Sequence, residues 1–195
     1  MRHNAKALDM SGNLCQDGGV YETVSGYRIT IGKLPSGDAG TTKTLAMMAQ
    51  LAQAGALRRE VRETAMDVVR SAGTAPHDHL GELAALFAFV RDQVRFIGDI
   101  AGVETLQAPN YTLHVMAGDC DDRAVLLVAM ARSIGIPASL RFRVIGANPR
   151  QPGAFSHVYV VANMNGKDVA LDPTYASSRM GWQHPKPSRI GDYPA

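Results

Sequence analysis

Apolar positions recur every three to four residues in the first half of the chain and give way to strand-like runs in the second. Over residues 41–53, Leu45, Met48, Ala49 and Ala52 share one face, which predicts a helix with that face inward. Met47 and Met48 both read as core. Gly55 interrupts, and a second helix over 57–70 turns Val61, Ala65 and Val68 inward and its arginines outward. Gly73-Thr74-Ala75-Pro76 ends it, and Asp78 or His79 opens a third helix to residue 96, striped by Leu83, Leu86, Phe87 and Val90. Residues 98–119 read as irregular, with Gly98, Gly102, Pro109 and Gly118. Residues 120–134 are then apolar on almost every side, through Val125, Leu126, Leu127, Val128 and Met130, as a buried helix requires, and Gly135 is its stop. Strands follow over 139–145, 155–162 and 167–171, with Asn165-Gly166 as a two-residue hairpin turn between the last two. A short strand over 27–31 precedes the helices and is broken by Leu34-Pro35-Ser36-Gly37.

This order, helices first and an antiparallel sheet last, predicts an α+β fold. The expected boundaries are an N-terminal arm or loop over 1–26, one domain over 27–180 and a Pro-, Gly- and Ser-rich tail over 181–195. The chain has 195 residues, 46% of them hydrophobic and 19% charged, enough to bury a core without staples. A formal net charge of +2 argues neither for nor against an anionic partner, and no nucleic-acid partner is expected. Two cysteines, Cys15 and Cys120, make no disulfide framework; a bridge between them stays open, but a free thiol suits a reducing compartment better. The N-terminus leads into no apolar run and no segment suits a bilayer, so no signal peptide and no membrane partner are expected, and the location expected is cytoplasmic.

The chemistry gathers in the second half. In Gly118-Asp119-Cys120-Asp121-Asp122 the cysteine opens the buried helix, where unpaired amides and the helix dipole favour the thiolate, the reactive form. Asp119 suits the N-cap, while Asp121 and Asp122 oppose the thiolate and call for a cationic partner. His157 fits that role. If Asn165-Gly166 form the turn, Met164 pairs with Lys167, Tyr159 lies opposite Asp172, and His157, Tyr159 and Asp172 share one face, with Asp172 the diagonal neighbour of His157. A slip of one residue would separate them. A thiol at a helix start and a histidine oriented by a carboxylate form a nucleophile, base and orienter. The Cys120 amide is a candidate oxyanion donor, with Gln107, Asn110 and Tyr111 weaker candidates for a second.

The same motifs, with Ile134-Gly135-Ile136-Pro137-Ala138, Phe155-Ser156-His157-Val158-Tyr159-Val160 and Leu171-Asp172-Pro173-Thr174, closely resemble the transglutaminase-like superfamily. The resemblance spans about residues 80 to 180 and implies a papain-like core with Cys120, His157 and Asp172 as its triad. It implies amide-bond chemistry through an acyl-thioester, with hydrolysis of a protein or peptide, peptidoglycan peptides included, favoured over crosslinking, and with no cofactor. The last strand lacks the family's usual tryptophan, and no calcium-binding loop of the animal crosslinking enzymes is evident. The segments 89–96 and 102–109 look similar to small members from bacteria and their phages. The competing reading is therefore a phage virion or assembly protein that keeps the fold, is virion-associated and meets phage structural proteins through its arm and tail.

Other motifs carry less. Gly37-Asp38-Ala39-Gly40-Thr41-Thr42-Lys43-Thr44 imitates a phosphate loop but lacks the glycine before the lysine, so a helix start capped by Thr41 or Thr42 is expected. His77-Asp78-His79 reads as a solvated cap, and Cys120, His157 and Asp172 lack an evident fourth ligand, so no metal site is assigned. Arg141-Phe142-Arg143 reads as a strand with two outward arginines.

Overall fold

A computed structural model describes residues 20–22, 28–30, 34–98 and 105–195. The expectations for Cys15 and for most of the 1–26 arm lie outside the described residues. Strands β1 (Val20–Glu22) and β2 (Arg28–Thr30) pair antiparallel. Three helices follow, α1 (Asp38–Ala56), α2 (Arg59–Ser71) and α3 (His79–Gln93). Most of the predicted stripe positions are buried, Leu45, Met48 and Ala52 on α1, Val61 and Ala65 on α2, and Leu83, Leu86, Phe87 and Val90 on α3, while Ala49 and Val68 are half-buried against the core. Met47 is a correction, since it is 39% exposed while Met48 is buried. Helix α1 also starts earlier than expected. Thr41 and Thr42 lie inside its first turn and bond back to the carbonyls of Gly37 and Asp38, so neither is the cap. Asp78 caps α3 by accepting from the Gly81 amide at 3.0 Å.

The third helix ends at Gln93, short of the expected residue 96, where a short strand stands instead, and the stretch expected to be irregular holds another short strand and a helix. Strand β3 (Arg95–Phe96) pairs in parallel with β4 (Ala117–Gly118), and α4 (Pro109–Val115) lies between them. Pro109 occupies the first helical turn, where its missing N–H costs nothing. Helix α5 (Cys120–Ser133) then runs through the centre, with every residue from Asp121 to Ala131 buried. Helices α1, α2, α3 and α4 pack around it, and its remaining side lies on the sheet. No described helix is long and apolar enough to cross a membrane.

The sheet has four antiparallel strands in the order β7-β6-β5-β8: β5 (Ser139–Ile145), β6 (His157–Met164), β7 (Lys167–Leu171) and β8 (Ile190–Pro194). Its inner face sets Leu140, Phe142, Val144, Val158, Val160, Ala162 and Leu171 against α5. A smaller cluster of Ile145, Tyr159, Val161 and Ala170 lies on the other face. The hairpin closes as the sequence dictates. Asn165 and Gly166 both take positive φ, 53° and 81°, and Met164 pairs with Lys167 and Val160 with Leu171. Strand β8 falls within the expected 181–195 tail. It is held at the edge of β5 by its backbone ladder and by Asp192, which meets both Arg141 and Arg143. Proline and glycine content concealed it, because an edge strand tolerates both.

Candidate active site

The start of α5 is built by three aspartates with different duties. The Asp119 carboxylate accepts from the amides of Asp121 (3.0 Å) and Asp122 (3.2 Å), while Asp122 accepts from the Asp119 amide at 3.3 Å, so the two form a reciprocal cap. The second Asp122 oxygen accepts from the Gln107 amide at 2.7 Å and pins the preceding loop to the helix. Gly118 makes room for this, since a Cβ there would stand 2.6 Å from that of Asp122. The Asp121 carboxylate accepts from the Cys120 thiol at 3.3 Å.

The thiol is poised differently from the sequence expectation. Burial raises the Cys120 pKa well above the ordinary thiol range, and the charges of Asp121 and Asp119 push it further. The Val158 amide, aimed at the sulfur, acts the other way but does not prevail. Dipole and cap alone would favour a thiolate; here desolvation and two carboxylates act against them and favour the protonated thiol.

His157 and Asp172 form the pair that the hairpin register predicts. His157 Nε2 and Asp172 Oδ2 lie 2.7 Å apart, with both side chains almost fully buried. The other Asp172 oxygen accepts from the Thr174 amide at 3.0 Å, so the carboxylate is fixed at both ends. His157 shares its strand face with Tyr159, their ring centroids 6.0 Å apart, and Asp172 lies one residue beyond the end of β7. Beyond Leu171 the β7 ladder has ended, and there Cys120 meets the Val158 backbone, one residue from His157. No hydrogen bond joins Cys120 to His157 directly among the described residues. The Tyr175 ring closes the other side, with its centroid 5.6 Å from that of His157.

Arg123 is a residue the sequence reading missed. It is buried, and it donates to the carbonyls of Pro173 (2.7 Å), Thr174 and Val94. One side chain thus ties α5 to the end of α3 and to the turn that carries Asp172, whose charge favours the guanidinium against the burial that lowers its pKa. Its burial shows only in the folded chain.

The other candidates are less engaged. The Gln107 side-chain oxygen accepts from Thr112 at 3.4 Å, and Asn110 and Tyr111 lie in α4, with the Tyr111 ring beside His114. Asp119, Cys120 and Asp121 bring one potential metal-ligand atom each within 4.8 Å of one another. They suit a cation poorly, because they stand at the positive end of a helix and Asp119 is committed to two amides. His79 pairs with Glu82 at 2.8 Å and Asp78 is a cap, so His77-Asp78-His79 is a helix start.

The sequence matches the model of the transglutaminase-like superfamily over residues 66–184, more than half of the chain. A search of curated protein sequences finds no match. Among solved structures, similarity extends to a candidate cysteine protease from Cytophaga hutchinsonii (15% identity, TM-score 0.44, covering 69% of this chain and 51% of that one). It extends also to a candidate protease from Parabacteroides distasonis (17% identity, TM-score 0.47, 70% of this chain and 27% of that one). Calcium-bound LapG from Legionella pneumophila aligns at 17% identity and TM-score 0.49, over 77% of this chain and 87% of that one. This chain therefore spans about half the length of the Cytophaga protein and about a quarter of the Parabacteroides one. The family match runs from α2 through the Gly118-Asp119-Cys120 helix start to the His157–Asp172 hairpin and the turn beyond it, and this chain belongs to the transglutaminase-like superfamily.

Proposed function

We propose that the chain is a cysteine-dependent amide-bond hydrolase acting on proteins or peptides, with Cys120 as nucleophile, His157 as base and Asp172 as orienter. The observation that carries this reading is the buried His157–Asp172 pair at 2.7 Å, one residue from the Val158 amide that meets the Cys120 sulfur. Asp172 engages Nε2, which leaves Nδ1 of His157 for the thiol proton. The sulfur leaves Asp121, gives its proton to Nδ1 and attacks the amide carbonyl carbon. The Asp172 carboxylate stabilises the imidazolium so formed. The carbonyl oxygen becomes an oxyanion facing the Cys120 amide, which the Asp119 cap does not use; Gln107, pinned by Asp122, is the candidate second donor. The C–N bond then breaks, the amine departs with the proton from His157, and an acyl-thioester remains. Water, deprotonated by His157, releases the acid. An amine in place of water would give crosslinking from the same intermediate, so the acceptor alone separates the two.

The test is turnover of a peptide mixture, peptidoglycan stem peptides included, with and without a primary amine. Wild-type protein releases free acids even when the amine is present, and Cys120→Ala releases none. Undiminished turnover by Cys120→Ala contradicts the reading, and amide products in place of acids convert it to acyl transfer.

A further inference from the structure

We propose that Tyr175 and Trp182 form a side-chain subsite that selects substrates with an aromatic or large aliphatic residue beside the scissile bond. This deepens, and rests on, the reading of Cys120 as a peptide-cleaving nucleophile. A row of rings leads outward from the catalytic histidine. His157 contacts Tyr175 at 5.6 Å between centroids, Tyr175 contacts Trp182 at 5.5 Å, and Trp182 contacts His184 at 6.3 Å. Tyr175 and Trp182 stay 39% and 36% exposed although both sit at the rim of the site. Burial raises the Tyr175 pKa, and the charges of Asp172 and Cys120 raise it further.

The segment that carries the rings is fastened down. Ser178 donates through its hydroxyl to the Asp172 carbonyl and through its amide to the Tyr175 carbonyl. Arg91 donates to the Ser178 carbonyl at 2.8 Å, the Gly181 amide bonds Ala170 at 2.7 Å and the Trp182 amide bonds Arg179 at 2.8 Å. A rim held this way binds without first paying to order itself. The ring planes of Tyr175 and Trp182 meet at 69° and those of Trp182 and His184 at 71°. Edge against face makes a notch, which suits an apolar side chain; a sugar would want one broad open face. Arg141 and Arg143, on the sheet nearby, are already paired, Arg141 with Asp168 and Asp192 and Arg143 with Asp192.

The experiment measures alkylation of Cys120 by four chloromethyl ketones that carry acetylated Phe, Leu, Ala or Asp, with iodoacetamide as a reagent that has no side chain to recognise. The Phe and Leu reagents react about tenfold faster than the Ala and Asp ones, the ratio expected when several methylenes enter an apolar pocket. In Tyr175→Ala and Trp182→Ala this ratio falls toward one, and because it is taken within each variant it is independent of how much protein folds. Equal rates for the four reagents on the wild-type chain, with iodoacetamide reacting at Cys120, overturn the subsite and leave the nucleophile standing. Failure of every reagent, iodoacetamide included, refutes the nucleophile itself. A ratio that persists in both variants, or protection of Cys120 by an N-acetylglucosamine oligomer and not by acetyl-phenylalanine amide, also overturns the subsite.

Discussion

At the scale of single residues, the site sets a thiol with a raised pKa near the histidine proposed as its base. Burial and the charges of Asp121 and Asp119 hold the Cys120 pKa high. On the proposed reading the thiolate is made during reaction. Asp121→Asn removes one of the two repelling charges, so the thiolate gains. The midpoint of alkylation against pH moves to lower pH, and the iodoacetamide rate at pH 7 rises severalfold. A pH-rate profile of both proteins checks this; a midpoint that moves upward would mean that Asp121 assists the thiolate. This poise was only half legible in the sequence. The spacing of Gly118-Asp119-Cys120-Asp121-Asp122 announces a capped helix and its acidic neighbours, and both are found. How deeply the sulfur is buried depends on contact with Val158, 38 residues later, which no local rule supplies.

At the scale of elements, two devices hold the site together. The first is the Asn165–Gly166 turn, which was legible because a two-residue turn fixes register and register fixes faces. Its backbone is left-handed at both residues, at a cost that only glycine escapes. Gly166→Val destabilises the fold by about 1–2 kcal/mol in urea unfolding. It also lowers activity by more than the unfolded fraction explains, because any slip separates His157 from Asp172. The second device is Arg123, which joins α5, the end of α3 and the turn after Asp172. Arg123→Met leaves three carbonyls without their donor and the Asp172 charge without its neighbour. A loss of about 3 kcal/mol follows. Urea unfolding measures it, and a loss below about 1 kcal/mol would show that the guanidinium is dispensable. Arg123 could not be read from sequence, since an arginine in a helix of otherwise apolar residues reads equally well as solvent-facing. Strand β8 was hidden for a related reason: its residues alternate between half-buried and exposed, with no fully buried position to mark a strand.

At the scale of the whole molecule, one central helix carries the thiol and the sheet end carries the His157–Asp172 pair, and the two meet where the β7 ladder stops. Helices α1, α2 and α3 were legible because their stripes repeat at the helical period, α5 because it is apolar on almost every side, and the order of the last helix and the first three sheet strands followed from turn and stop signals. Four things were not legible: helix α4, the fourth strand, the small parallel pairing of β3 with β4, and the meeting of Cys120 with the Val158 backbone. Alternation says that His157 and Asp172 share a face, yet only the folded chain brings the Cys120 sulfur to the Val158 backbone beside them. Capture of an acyl group by that thiol is the event on which the proposal turns. The most direct measurement is intact-mass and peptide-mapping mass spectrometry of the wild-type chain, quenched in acid during exposure to peptides and peptidoglycan stem fragments. The account predicts an added acyl mass located on Cys120, absent from Cys120→Ala and much reduced in His157→Gln. Turnover with no adduct on Cys120 in rapidly quenched samples, or an adduct on another residue, would contradict it.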